Sequence, residues 1–223
     1  MFMSLILPLI LCFLPLIAGV LIFVLAFKSK ISHIFISILL GLVAVFPISF
    51  IQFFIPDFTF LSSSPILKTL LQSLILYGLT EEILKTLLIW PIPKKDKSVF
   101  DFLLLAFTFG LSLGCFESVV YYLDHLQMAN NRGATLLFGT IFARIFSSDI
   151  IHMTCSGLCG LFIFSIKEKQ PRLSCLFSAI FLHSFYDFFA GFQNNLHWFS
   201  IFVILLSIVE CRIKYSSFAP SDS

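Results

Sequence analysis

Charge is scarce in this sequence. Asp, Glu, Lys and Arg make up 12% of its 223 residues, against 59% hydrophobic residues and a mean hydropathy of +1.03. A chain so poor in charge cannot cover a soluble surface, which excludes a sizeable water-soluble domain and indicates a polytopic membrane protein. Internal repeats, low-complexity tracts and linker-like stretches are also lacking, so residues 1–223 are expected to form a single integral membrane domain. The cysteines, Cys12, Cys115, Cys155, Cys159, Cys175 and Cys211, lie in or at the ends of apolar runs and not in paired loop positions, which argues against a disulfide framework. The first apolar run has no basic segment before it and is long for a signal peptide, so it reads as a retained helix. The polar end from Ala219 to Ser223 carries no lipidation signal.

Long apolar runs are what the sequence has instead. Runs able to span a bilayer, ~17–25 residues each, fall near 4–27, 31–55, 65–90, 99–123, 134–166, 173–192 and 197–211. The expected fold is all-α with about seven transmembrane helices, the last one short. Pro47, Pro56, Pro65, Pro91, Pro93 and Pro171 are expected near helix ends or in connections, while Pro8 and Pro15 should kink the first helix. Basic residues cluster at Lys28 and Lys30, at Lys94, Lys95 and Lys97, at Lys167, Lys169 and Arg172, and at Arg212 and Lys214. The opposite connections hold Lys68 and Arg132. By the positive-inside rule the N-terminus is outside and the C-terminus cytoplasmic.

Against this background the polar residues inside the apolar runs carry the information, because a charge near the bilayer centre costs ~2.5–3.5 kcal/mol on insertion scales. Glu81, Glu82 and Lys85 share one side of the 65–90 run by their i, i+3 and i, i+4 spacing. A carboxylate pair beside an ammonium suits a water-activating base held ionised by its neighbour. A helix end surfacing early would also account for the triplet, but the apolar pattern continues through Trp90. The next run has Gly110 and Gly114, spaced for a close helix contact, followed by Glu117, which is either a site residue or a structural hydrogen-bond partner. Farther on, Arg144, Asp149 and His152 precede Gly157 and Gly160, and His183 and Asp187 stand at i and i+4. A histidine with a carboxylate nearby is how a metal ligand or general base is commonly oriented. His33, His125 and His197 fall near run ends and read as interfacial.

Glu81, Glu82, Glu117, Asp149 and Asp187 outnumber Lys85 and Arg144 inside the apolar runs. That negative excess needs protonated carboxyls, charged histidines or a bound divalent cation. Two histidines with carboxylates form a ligand set that suits zinc. Measured from the cytoplasmic ends at 1.5 Å per residue, Glu82 lies ~12 Å deep, His183 ~15 Å, His152 ~20 Å and Glu117 ~26 Å. The first three can meet; Glu117 fits least well.

Glu81-Glu82-xx-Lys85, Phe116-Glu117 with Tyr121, His152 ahead of Gly157 and Gly160, and His183-Ser-Phe-Tyr-Asp187 together resemble the PrsW family of intramembrane proteases. That family is a branch of the wider group containing CAAX prenyl proteases and bacteriocin-processing enzymes. The likeness runs over about 65–192, the expected catalytic helices. It departs from the CAAX pattern, in which Arg stands one position beyond Lys85 and His stands where this chain has Val120; a CAAX substrate is therefore not expected. The resemblance implies a multi-pass enzyme of the bacterial cytoplasmic (inner) membrane, cutting single-pass membrane proteins such as anti-sigma factors, with lipid and substrate as partners and no nucleic acid. It implies either a zinc site or a metal-free glutamate mechanism. On this reading Glu81, Glu82, His152 and His183 are catalytic, with His152 and His183 as zinc ligands if metal is used. Lys85, Glu117, Asp149 and Asp187 support them. A proton- or cation-coupled transporter, or a scaffold whose polar groups hold helices together, are the alternatives the residues leave open.

Overall fold

The computed structural model describes residues 2–56, 58, 61, 63–128 and 134–218. Arg132, the His125 side chain and the tail from Ala219 to Ser223 lie outside the described residues. The helices are α1 (Phe2–Cys12), α2 (Leu14–Leu25), α3 (Ile31–Phe54), α4 (Pro65–Gln72), α5 (Thr80–Ile89), α6 (Val99–Met128), α7 (Ala134–Ile145), α8 (Ser148–Lys167), α9 (Leu173–Ala190) and α10 (Phe199–Ser216). A π-helical segment, Ser73–Leu79, joins α4 to α5, and a short 3-10 turn, Asn195–Trp198, precedes α10. The described residues contain no strand.

Among the described residues five stretches are long and apolar enough to cross a membrane: Ile31–Phe54, Val99–Asp124, Phe138–Lys167, Leu173–Ala190 and Asn195–Ser216. The pair α1–α2, bent by 44° at Phe13, makes a sixth if taken as one span. The bend falls two residues before Pro15, where the missing N–H breaks the ladder. The expected seventh span, 65–90, is divided into α4, the π segment and α5, none long enough alone. Pro47 corrects an expectation: it lies inside α3 and not near its end, a position apolar membrane helices tolerate when neighbours satisfy the freed carbonyl.

α6 and α8 form the centre of the bundle. They are buried around most of their circumference, whereas α3 and α10 turn Phe35, Phe46, Phe53, Phe202 and Leu205 outward, as expected of a lipid-facing shell. The central pair can approach because the contact is lined by small residues. A Cβ at Gly110 would overlap the His152 carbonyl oxygen and lie 2.8 Å from Met153 Cα and Ser156 Cβ. Gly78 of the π segment packs just as closely on α9, where a Cβ would overlap Ser184 Oγ. These two approaches bring α5, α6, α8 and α9 around one point.

The basic connections gather at one end of the bundle. Lys28, Lys30, Lys95 and Lys97 line a shared pocket of about 390 Å³. Lys167 donates to the carbonyls of Trp90 and Ile92 at 2.9 and 3.1 Å, closing the C-terminal end of α5. Lys94 pairs with Glu168, and Arg172 bonds Ser217.

Candidate active site

α5 begins directly after the π segment, and its first two turns carry Glu81, Glu82 and Lys85 into the interior. Glu82 and Lys85 are fully inaccessible to solvent, and Glu81, His152 and His183 are 5%, 3% and 1% exposed. Charge buried at this density must be offset by close counter-charges. The Lys85 ammonium is the hub: Nζ donates to Glu82 Oε1 at 2.7 Å and to His152 Nδ1 at 3.0 Å, and stands 3.5 Å from His183 Nδ1 and 3.6 Å from Glu81 Oε2. The edge-to-face imidazoles of His152 and His183 have centroids 5.0 Å apart.

The two glutamates are not equivalent. Both oxygens of Glu82 are engaged: Oε1 accepts from Lys85 and, at 2.6 Å, from His183 Nδ1, and Oε2 accepts from the Cys159 thiol at 3.3 Å. Glu81 Oε1 accepts from the Gln52 amide at 3.0 Å, but Glu81 Oε2 is buried with no hydrogen-bond partner among the described residues. It lies 3.9 Å from His183 Nε2.

Because a carboxylate only accepts, the short contact to Glu82 puts a proton on His183 Nδ1. The carboxylate behind the imidazole is the outer-shell partner that orients a metal-binding histidine. His152 is held oppositely. Its Nδ1 accepts from Lys85, so Nε2 carries the proton and donates to Glu117 Oε2 at 2.7 Å. Asp187 Oδ2 lies 3.3 Å from His183 Nε2.

Every residue expected at the site on α5, α8 and α9 converges there except Asp149. Although fully buried, Asp149 turns to Ser118, which donates to its Oδ1 at 3.1 Å; Arg144 Nε in turn donates to Ser118 Oγ at 2.9 Å. The carboxylate on His152 is Glu117, the residue that the depth reckoning set too far away. α6 is continuous past Glu117 and packs on α8 through Gly110 and Gly114, so its carboxylate descends alongside His152. Arg144 reaches Glu117 at 3.6 Å and stacks on Tyr121 at 4.7 Å from the ring centroid. Gln52 was not anticipated: a lone amide in a phenylalanine-rich stretch of α3 has no local pattern to mark it. Cys155 and Cys159 are buried packing residues, and Cys159 also touches Glu82.

The donor set fits a metal ion. Ligand atoms of Glu81, His152 and His183 all lie within 4.8 Å of one another, and one of the three residues supplies the orphaned buried oxygen. Two histidines and a carboxylate with room for water form a known catalytic zinc arrangement.

A family model described as PrsW family intramembrane metalloprotease matches residues 29–209, most of the chain. Comparison with curated proteins and with solved structures gives no match.

Proposed function

Because this chain belongs to the PrsW family of intramembrane metalloproteases, we propose that it hydrolyses a peptide bond of a single-pass membrane protein, an anti-sigma factor being one such substrate, at the site formed by Glu81, His152 and His183. The observation that carries this reading is the buried Oε2 of Glu81, without a hydrogen bond among the described residues, in a residue grouped with two imidazoles. In a metal-free reaction Glu81 is the general base: Oε2 takes a proton from the attacking water as its oxygen adds to the scissile carbonyl carbon, then returns it to the leaving amine as the C–N bond breaks. Glu82 has no free oxygen to serve as base and acts by orienting His183 and balancing Lys85.

When metal is used, a zinc ion would be held by Glu81, His152 and His183, and it would polarise the carbonyl and acidify its water. Glu117, hydrogen-bonded to His152 Nε2, is placed to take that nitrogen's proton. Lys85 keeps both imidazoles and both glutamates in register, and Asp187 flanks His183.

The same reading takes the chain to cross a bacterial cytoplasmic membrane seven times, with 65–90 crossing as one interrupted span, the N-terminus outside and the C-terminus inside. Its support is the gathering of Lys28, Lys30, Lys95, Lys97, Lys167 and Arg172 at one end of the bundle.

The test compares N-termini of membrane proteins in source cells lacking the native copy and supplied with either the intact chain or Glu81→Gln at matched levels. New N-termini beside single-pass helices, present with the intact chain alone, are expected. Coincident maps overturn the assignment of Glu81 and of the substrate class.

A further inference from the structure

Gln52 stands two residues before the end of α3, between Ile51 and Phe53. Its side-chain nitrogen makes two hydrogen bonds, to Glu81 Oε1 and to the Leu76 carbonyl oxygen, each 3.0 Å. A carboxamide nitrogen has two hydrogens, so its donor capacity is spent on these two acceptors. Both partners are remote in sequence, 29 and 24 residues away.

The Leu76 acceptor belongs to the π-helical segment. In a regular α-helix the Thr80 N–H would bond the Leu76 carbonyl; here it is shared between Ile75 O and Tyr77 O, passing Leu76 by, and the Thr80 hydroxyl donates to Ile75 O at 2.6 Å. The Leu76 carbonyl is thereby turned to meet a side chain from α3. One amide group grips the altered turn and the carboxylate that follows it.

A carboxylate is nearly two-fold about its terminal torsion, so nothing within Glu81 itself decides which oxygen faces the histidines. With Oε1 tied to Gln52, Oε2 is the oxygen left toward His183. We propose that Gln52 is the positioning residue of Glu81, a clamp that ties its carboxylate to the π-helical turn and aims Oε2 into the site. The role rests on the reading of Glu81, His152 and His183 as a metal site. Gln52 itself reaches neither histidine in the contacts described, so it acts through Glu81.

The experiment uses the purified full-length chain with Co²⁺ as the probe, read by its visible absorption, with thermal unfolding measured in parallel. The intact chain is expected to give ligand-field bands that Glu81→Gln alters. Gln52→Met keeps the length of the side chain and removes its donors. It is expected to shift those bands and weaken Co²⁺ binding by about tenfold, the effect typical of losing an outer-shell partner, while the melting temperature stays within about 4 °C. Gln52→Glu, which keeps the shape but sets a second carboxylate against Glu81, should weaken binding further. If Gln52→Met melts lower but binds Co²⁺ with native bands and affinity, Gln52 is helix packing alone and the proposal is overturned. If the intact chain gives no bands, or Glu81→Gln leaves them unchanged, the metal reading itself fails and the role assigned to Gln52 falls with it.

Discussion

Replacing Lys85 by Met should cost more stability than any conservative change elsewhere in the core. The ammonium has no solvent exposure and serves Glu82 at 2.7 Å, His152 at 3.0 Å, His183 at 3.5 Å and Glu81 at 3.6 Å. Met fills the volume of the stem but leaves two adjacent carboxylates without their shared cation. Removing one partner of a buried ion pair costs about 3–5 kcal/mol. For a chain of this length each kcal/mol moves the midpoint by about 2–4 °C, so a fall of roughly 10 °C is expected. The protein supplies its own reporter, since all six cysteines are buried and become reactive to a thiol-specific dye as the bundle opens. The companion Lys85→Met/Glu82→Gln removes a carboxylate charge as well and should recover part of the loss, giving a non-additive cycle. A single variant that melts within about 2 °C of the native chain would refute the reasoning, because the carboxylates would then have water to solvate them.

The contact between α6 and α8 gives a second test. Gly110→Val drives two methyl groups into the His152 carbonyl and should destabilise by at least about 1–3 kcal/mol while displacing His152. Gly139→Ala, where nothing stands within 4 Å, should be neutral or slightly stabilising. Equal effects of the two in the same dye assay would contradict the packing described. Chelation gives a third: 1,10-phenanthroline should abolish cleavage by membranes carrying the chain and added Zn²⁺ should restore it, whereas undiminished cleavage in metal-stripped membranes would leave Glu81 to act without metal.

Much of the site could be read from spacing, because helical geometry converts sequence separation into direction. The i, i+3 and i, i+4 relations put Glu81, Glu82 and Lys85 together, and a uniform rise per residue was enough to bring Glu82, His152 and His183 to a common depth. What escaped has a common cause. Glu117 depends on how α6 descends along α8, Asp149 on a competing hydroxyl at Ser118, and Gln52 on contacts spanning 29 and 24 residues. None of these is encoded in a local period. The π segment escaped as well: one residue beyond the α-helical register in Ser73–Leu79 leaves the apolar run uninterrupted, so composition reads it as ordinary helix.

The rim of the site has a consequence for the supply of a reactant. Glu117, Arg144 and Asp187 keep 24%, 19% and 24% of their side-chain surface uncovered, although the stretches that carry them, Val99–Asp124, Phe138–Lys167 and Leu173–Ala190, are all apolar enough to be membrane-embedded. Acyl chains cannot solvate these groups, so lipid tails must give way to water or headgroups along this edge of the site. Each bond cut consumes one water molecule, which hydrocarbon would otherwise exclude. The uncovered edges of these three side chains give that reactant a polar surface to approach along.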